Sequence, residues 1–428
     1  MRTDASPDLA RLLARQPAER IVWGLDRVRV ALASVGQPQA SFHSIHVAGT
    51  NGKGSVAAML EALLRASAVR TGLFTSPHLR DFSERIRVAG EPVPLAELDQ
   101  AAADLLPVVA QVDTSWFEAV TALAFLALAR SRVEWAVVET GLGGRLDATN
   151  VLIPDLAVIT NVSLDHEDYL GSDLARIAAE KAGIIKEEVP TILGRMPESV
   201  EAVFRSRAAE VGSPIWSLGA DAAVQGVEVS TTGTRFELHL PSDAEAVAYQ
   251  TPLPGAHQAD NAALALMAFR QVAAPDPVRE AKALAGVRWP GRFQVVSGRE
   301  GLWVLDVAHN PAGVEALLRT LEEASPPGPI VACVAILGDK EWGAMLGPLT
   351  ALCESVVLTV PPSAPESRRW DPLAVARDCG FQVEVVPIFA EAMLRSRQLA
   401  GVGTVIVTGS CHTVGDGLGW LEARMARA

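Results

Sequence analysis

The sequence predicts an α/β protein of two doubly wound domains, a larger one over residues 1–287 and a smaller one over residues 292–428. Three observations predict this. At 428 residues the chain exceeds what one ordinary core supports. Strand-like apolar runs alternate with helical periodicity along most of its length, the pattern of a largely parallel sheet covered by helices. Between Val287 and Arg292 the pair Pro290-Gly291 breaks the periodicity, as a linker does, and the alternation then restarts.

Taken in order, the first strand is Ser44–Val47. It runs into Gly49-Thr50-Asn51-Gly52-Lys53-Gly54-Ser55 and then into a helix whose apolar residues Val56, Met59, Leu60, Leu63 and Leu64 share a face. Strands are expected at Gly72–Thr75, Trp135–Glu139 and Leu156–Asn161, and helices at Phe117–Leu128 and Leu174–Ile185. Residues 220–250 alternate around Thr232-Gly233, a hairpin signature expected to add an antiparallel edge to the sheet. Beyond the linker, strands are expected at Leu302–Val307, Ile330–Ile336, Ser355–Val360, Val383–Val386 and Thr404–Thr408, with a helix over Pro311–Leu321. No internal repeat or low-complexity tract interrupts this order.

Composition narrows the function. Hydrophobic residues are 49% and charged residues 20%, a globular balance. A net charge of −13 argues against a nucleic-acid surface. Met1–Arg20 lacks the apolar core of a signal peptide, and the longest apolar run, near Ala119–Ala129, falls short of the roughly 20 residues that span a bilayer. A cytoplasmic protein without nucleic-acid or membrane partners is expected. The four cysteines form no C-x-x-C pair, so neither a zinc site nor a disulfide framework is indicated.

The chemistry collects at strand ends. Glycines at 49, 52 and 54 let the backbone turn its N–H groups toward an anion at the start of a helix, and Lys53 adds a mobile cation for the outer phosphates of a nucleotide. The first domain is therefore expected to be P-loop ATPase-like. The usual G-x-x-x-x-G-K-[ST] spacing is not kept: Val47 replaces the first glycine and Gly54 follows the lysine. A magnesium-binding hydroxyl must then come from Ser55 or from elsewhere. Ser76, Glu139 and His166 also follow strands, so a hydroxyl, a carboxylate and an imidazole surround the loop and can complete a divalent-metal site. Each also has a plainer role open to it: Ser76-Pro77 as a turn, Glu139 paired with Arg145, His166 as a helix cap.

Lys181 lies on the apolar stripe of its helix with Leu174, Ile177 and Ala178. Burial there favours the neutral amine. Two readings stand: a lysine that snorkels past the helix end, or an amine that takes up carbon dioxide as a carbamate and becomes an anionic metal ligand. In the second, Rossmann-like domain, Asp306 and His309 end a strand and face the interdomain cleft, while Asn310 and Pro311 suit a helix start. His257, Asn261 and Arg292 lie at or before the linker, where they can meet the same nucleotide.

These segments resemble the Mur-ligase superfamily and, within it, folylpolyglutamate synthase/dihydrofolate synthase. The resemblance rests on Gly49–Ser55, Phe74–Leu79 with Glu84-Arg85-Ile86, Glu139–Asn150, Leu164-Asp165-His166, Glu180–Ile184, His257–Asn261, Gly291-Arg292-Phe293 and Asp306–Pro311. It implies a ligase that adds L-glutamate to dihydropteroate or folate by way of an acyl phosphate, with ATP as co-substrate, two magnesium sites and a monomeric state. By the same resemblance Thr50, Asn51, Gly52, Lys53, Gly54, Ser55, Asn261, Arg292, Asp306 and His309 bind ATP. Ser76, Glu139, His166 and a carbamylated Lys181 hold magnesium; Lys53, Lys181, Asp306 and His309 are catalytic. Val22, Trp23, Gly24, Leu25, Trp116, Phe117, Glu118 and Asp147 are implied to hold the pterin. Trp23 stands where an acidic or small residue is expected, and Cys411–Asp416 lacks the family's aromatic residue. Another Mur-type ligase, acting on a cell-wall nucleotide or polymer, is the alternative.

Overall fold

The computed structural model describes residues 7–14, 23–241, 243–298 and 301–426. Its first sheet contains β1 (His43–Ala48), β2 (Thr71–Phe74), β3 (Ile86–Val88), β4 (Glu91–Pro92), β5 (Trp135–Glu139), β6 (Leu156–Ile159), β7 (Thr191–Leu193) and β8 (Ile215–Ser217). Their order is β4-β3-β2-β5-β1-β6-β7-β8. β3 and β4 pair antiparallel at one edge, and the others are parallel.

Helices cover both faces, which is why the strands read as unbroken apolar runs. In β5 the side chain of Val137 packs against the helices Lys53–Ala66 and Ala256–Val272. Its neighbours Ala136 and Val138 face the helices Leu95–Gln111 and Trp116–Arg130. Burial of each such Val or Leu side chain contributes about 1.5–3 kcal/mol, so a one-residue slip of β5 would be strongly disfavoured.

The hairpin at 220–250 forms, but not as a sheet edge. β9 (Ala223–Ser230), β10 (Gly233–His239) and β11 (Val247–Thr251) make a separate antiparallel sheet. Its buried face, Phe236, Leu238 and Tyr249, packs with helix Ala256–Val272, and Tyr249 and Arg270 both bond the buried Glu280. The alternation identified the strands; their attachment depended on this helix and ion cluster, which local pattern does not encode.

The second sheet has the order β12-β13-β17-β14-β15-β16. Its strands are β12 (Gln294–Gly298), β13 (Gly301–Asp306), β14 (Ile330–Val334), β15 (Ser355–Val360), β16 (Glu384–Ile388) and β17 (Thr404–Thr408). All pair in parallel except the edge strand β12, which sequence reading left unassigned. The segment between Val287 and Arg292 carries neither helix nor strand. The order β2-β5-β1-β6 sets the loops of Ser76, Glu139, Lys53 and His166 side by side at one sheet edge. The order β13-β17-β14 does the same for the ends of those strands in the second domain.

Candidate active site

The two edges face each other across a cavity of about 430 Å³, within the usual range for small-molecule sites. Thr50 to Ser55, Ser76, Glu139, His166, Lys181, Asn261, Arg292, Asp306 and His309 all line it. Fourteen sequence positions spread over more than 250 residues thus meet in one place.

The loop after β1 is held from below. The amides of Thr50 and Asn51 donate to the carbonyl and side-chain oxygens of Asn161 (2.9 and 3.0 Å). The amides of residues 52–55, at the start of helix Lys53–Ala66, are left for an anion, as at any helix N-terminus. Gly52 takes φ +82°, and a Cβ there would lie 2.7 Å from Asn261 Oδ1, so only glycine fits. Gly54 has a different reason: a Cβ would stand 3.0 Å from the indole of Trp289, in the linker. A side chain at residue 54 would therefore crowd that ring. Ser55 Oγ is buried without a hydrogen-bond partner among the described residues.

Lys53 Nζ donates to Thr50 O (3.1 Å) and stands 4.0 Å from Glu139 Oε1. Glu139 Oε2 accepts from the Ser76 amide (3.0 Å), and its pKa is raised, burial outweighing Lys53. Arg145 instead pairs with Glu180 (2.7 Å). His166 sits at φ +54° beside Asp165; its pKa is lowered to about 4, by burial and then by Lys340.

Lys181 is buried, its helix capped by Asp173 and ending at Gly183. Its Nζ donates to Gly49 O (2.9 Å) beneath the loop after β1. Burial, and next the repulsion of Lys53, lower its pKa to about 7. Lys181 is only 3% exposed, and burial favours its neutral amine.

From the second domain, Asp306 accepts from the amides of Phe293 (2.7 Å) and Ala308 (2.9 Å), so its own turn fixes it; burial raises its pKa. His309 Nδ1 bonds Val307 O (3.0 Å), leaving Nε2 directed at Asp165 (3.5 Å). Asn310 does cap its helix (Gly313 N, 2.7 Å), yet its amide group also donates to Asn51 (3.1 Å) and Asp165 (2.9 Å). Asp165 further accepts from Lys340 Nζ (2.6 Å).

Sequence reasoning gave Asp165 and Asn310 lesser roles and missed Lys340. A signal existed, because Asp339-Lys340 follows β14 at the edge where function gathers. Cys411, after β17, also lines the cavity.

The residues implied for the pterin lie apart from this lining. Val22 is outside the described residues. Leu25, Trp116 and Phe117 pack against the core under β2 and β5, Trp23 is partly exposed, and Gly24 takes φ +136°. Phe117 touches Gly141, a lining residue whose Cβ would fall 2.4 Å from the ring. Arg85 lies over the Trp116 ring (5.0 Å) and donates to His78 Nδ1 (2.8 Å). Two of the group are engaged in holding the chain. Glu118 closes a capping box with Ser115 and pairs with Arg27 (2.9 Å). Asp147 accepts from Leu142 N (2.8 Å) and Thr149, bracing the loop that contains Gly141.

Asp147 begins a buried chain with consequences for pH. Thr149 Oγ1 donates to Asp147, so it receives the Nε2 proton of His46 (2.8 Å). His46 Nδ1 is buried and unpartnered among the described residues. Burial, then Lys186, lower the His46 pKa to about 3. The unfolded chain takes up this proton near pH 6.5 while the folded one does not, so stability is full above about pH 6.5 and falls as pH drops toward 3. A loss of about 1.4 kcal/mol per pH unit is expected over that window for this one group. Urea unfolding at pH 7.5, 6 and 5 measures it, and His46→Gln should flatten the slope.

The comparisons with known proteins agree with this geometry. Residues 47–269 match the Mur ligase middle domain and residues 291–411 the Mur ligase, glutamate ligase domain. A dihydrofolate synthase/folylpolyglutamate synthase of Mycobacterium tuberculosis is 37% identical over 370 residues, covering 81% of this chain and 76% of that protein. The protein of the same description from Escherichia coli is 32% identical and covers 95% and 93%. Among solved structures, M. tuberculosis folylpolyglutamate synthase complexed with ADP and AMPPCP has a TM-score of 0.86 at 35% identity, with 96% of each chain covered. E. coli FolC in complex with DHPP and ADP has a TM-score of 0.87 at 31% identity, covering 98% of this chain and 99% of that one. Among the described residues no helix is long and apolar enough to cross a membrane. The chain belongs to the Mur ligase family, in its dihydrofolate synthase/folylpolyglutamate synthase branch.

Proposed function

We propose that this protein is an ATP-dependent acid–amino-acid ligase that joins L-glutamate to dihydropteroate, to folate (poly)glutamates, or to both. The observation that carries the reading is the single cavity lined from both domains, with a phosphate loop and Lys53 on one wall and Arg292, Asp306 and His309 on the other. A carboxylate oxygen of the pterin substrate attacks the γ-phosphorus of ATP, ADP leaves, and an acyl phosphate forms. The neutral amine of glutamate then attacks the acyl carbon, phosphate departs and the amine loses a proton. Lys53 and the amides of residues 52–55 neutralise charge on the transferred group. Closure of the two domains keeps water from the acyl phosphate.

Magnesium fits the same wall. Among the described residues no three His, Cys, Asp or Glu side chains cluster as a ready-made metal cage. Magnesium, however, usually keeps waters and phosphate oxygens and takes only one or two protein carboxylates. Ser76, Glu139, His166 and a carbamylated Lys181 would hold it, and the partnerless Ser55 hydroxyl is a further oxygen at the loop. When bound it would screen the phosphate charge. Glu139→Gln is then expected to raise the magnesium needed for half-maximal activity at least about tenfold, the scale seen when supporting groups of metal sites are changed. Unaltered magnesium dependence removes Glu139 from the set.

Trp23, Gly24, Leu25, Trp116 and Phe117 are assigned to the pterin wall, with Glu118 and Asp147 acting through the segments they brace. Residues 1–287 and 292–428 are taken as the two domains of a cytoplasmic monomer. The decisive test is phosphate release with dihydropteroate, folate and folate polyglutamates, each with and without glutamate. The reading requires release that depends on both substrates, and release indifferent to glutamate sinks it.

A further inference from the structure

We propose that Asp165 and Lys340 form an interdomain latch that holds the second domain against the phosphate loop and so positions His309 and Asn310. Asp165 follows β6 in the first domain, and Lys340 follows β14 in the second. They meet at 2.6 Å with side chains only 8% and 9% exposed. The pair is not isolated. Asp165 Oδ2 accepts from Asn310 (2.9 Å) and faces His309 Nε2 (3.5 Å), and Asn310 continues to Asn51 in the loop itself (3.1 Å). His166 Nε2 stands 3.9 Å from Oδ1.

Separating the domains at this end would strand a carboxylate and an ammonium that now satisfy each other. The domains also meet through Leu79, packed against an apolar cluster of the second domain, and through the Arg80–Glu422 ion pair.

The latch rests on the ligase reading only in its effect on turnover, so the test begins without substrate. Hydrogen exchange is compared for wild type, Lys340→Met and Lys340→Arg in the full chain, following the peptides over residues 48–55 and 307–314. Lys340→Met should raise exchange in both peptides about a hundredfold, the scale for deleting one member of a buried pair. Lys340→Arg should restore much of the protection. With substrates, Lys340→Met should lower kcat while leaving the KM for glutamate within about twofold, because the lysine positions other residues. Unchanged exchange in both peptides, or a raised glutamate KM with unchanged kcat, would overturn the latch and make Lys340 a direct ligand. If exchange rises but no variant or wild type ligates glutamate, the latch stands and the ligase reading fails.

Discussion

Lys53→Ala is expected to lower ligation by about a hundred- to a thousandfold or more with the fold intact, the cost of removing one preorganised group that meets developing charge. The fold should survive because Lys53 contributes little to it. The side chain makes one hydrogen bond to a loop carbonyl, and its 4.0 Å approach to Glu139 is long for an ion pair. Alanine also suits a first helical turn. A second effect should accompany the first. Lys53 is the second-largest cause of the lowered Lys181 pKa, so its removal should leave the Lys181 amine more protonated. Circular dichroism and thermal unfolding check the fold, and steady-state ligation checks the loss. Near-normal turnover would take the loop out of the mechanism.

Lys181→Ala is expected to lose activity on a similar scale. Under the proposed reading the neutral amine, favoured by burial that brings its pKa to about 7, would attack carbon dioxide and release a proton, and the carbamate would be an anion where the sequence placed a cation. Two signatures separate this from simple loss of packing. Short-chain carboxylic acids should restore part of the activity of Lys181→Ala by occupying the vacated position. Wild-type activity should also fall in degassed, bicarbonate-free buffer and recover when bicarbonate is added. A wild type indifferent to bicarbonate, with no rescue of the variant by any carboxylate, would leave Lys181 as an amine bonded to Gly49.

Much of this site was legible because parallel sheets bring their functional residues to strand ends, and strand ends can be read as apolar runs that stop at glycine or a polar residue. Glu139, His166, Asp306 and Lys53, which line the cavity, were singled out in that way. Lys181 was legible from helical spacing alone, since a lysine in an apolar stripe is anomalous. What sequence could not convey is pairing across a cleft. Asp165 looks like a loop residue until Lys340, 175 residues later, is seen 2.6 Å away. Asn310 looked complete as a cap because its second hydrogen-bonding group points to another domain. Glu118 and Asp147 are held largely by near neighbours, Ser115 for the one and Leu142 and Thr149 for the other, and the Ser115-to-Glu118 spacing is that of a capping box. The hairpin at 220–250 was recognised but attached to the wrong sheet, because alternation specifies a half-buried strand and says nothing of what buries it.

The contact between Gly54 and Trp289 sets a rule for how this loop can change over evolutionary time. Restoring the hydroxyl found in ordinary phosphate loops, as Gly54→Ser, would place a side chain where the linker's indole already lies. The loop after β1 and the segment around residue 289 are thus coupled: a serine at 54 fits more easily beside a smaller residue at 289. The double variant Gly54→Ser/Trp289→Ala should therefore be better tolerated than Gly54→Ser alone, which would tie the composition of the loop after β1 to the segment joining the two domains.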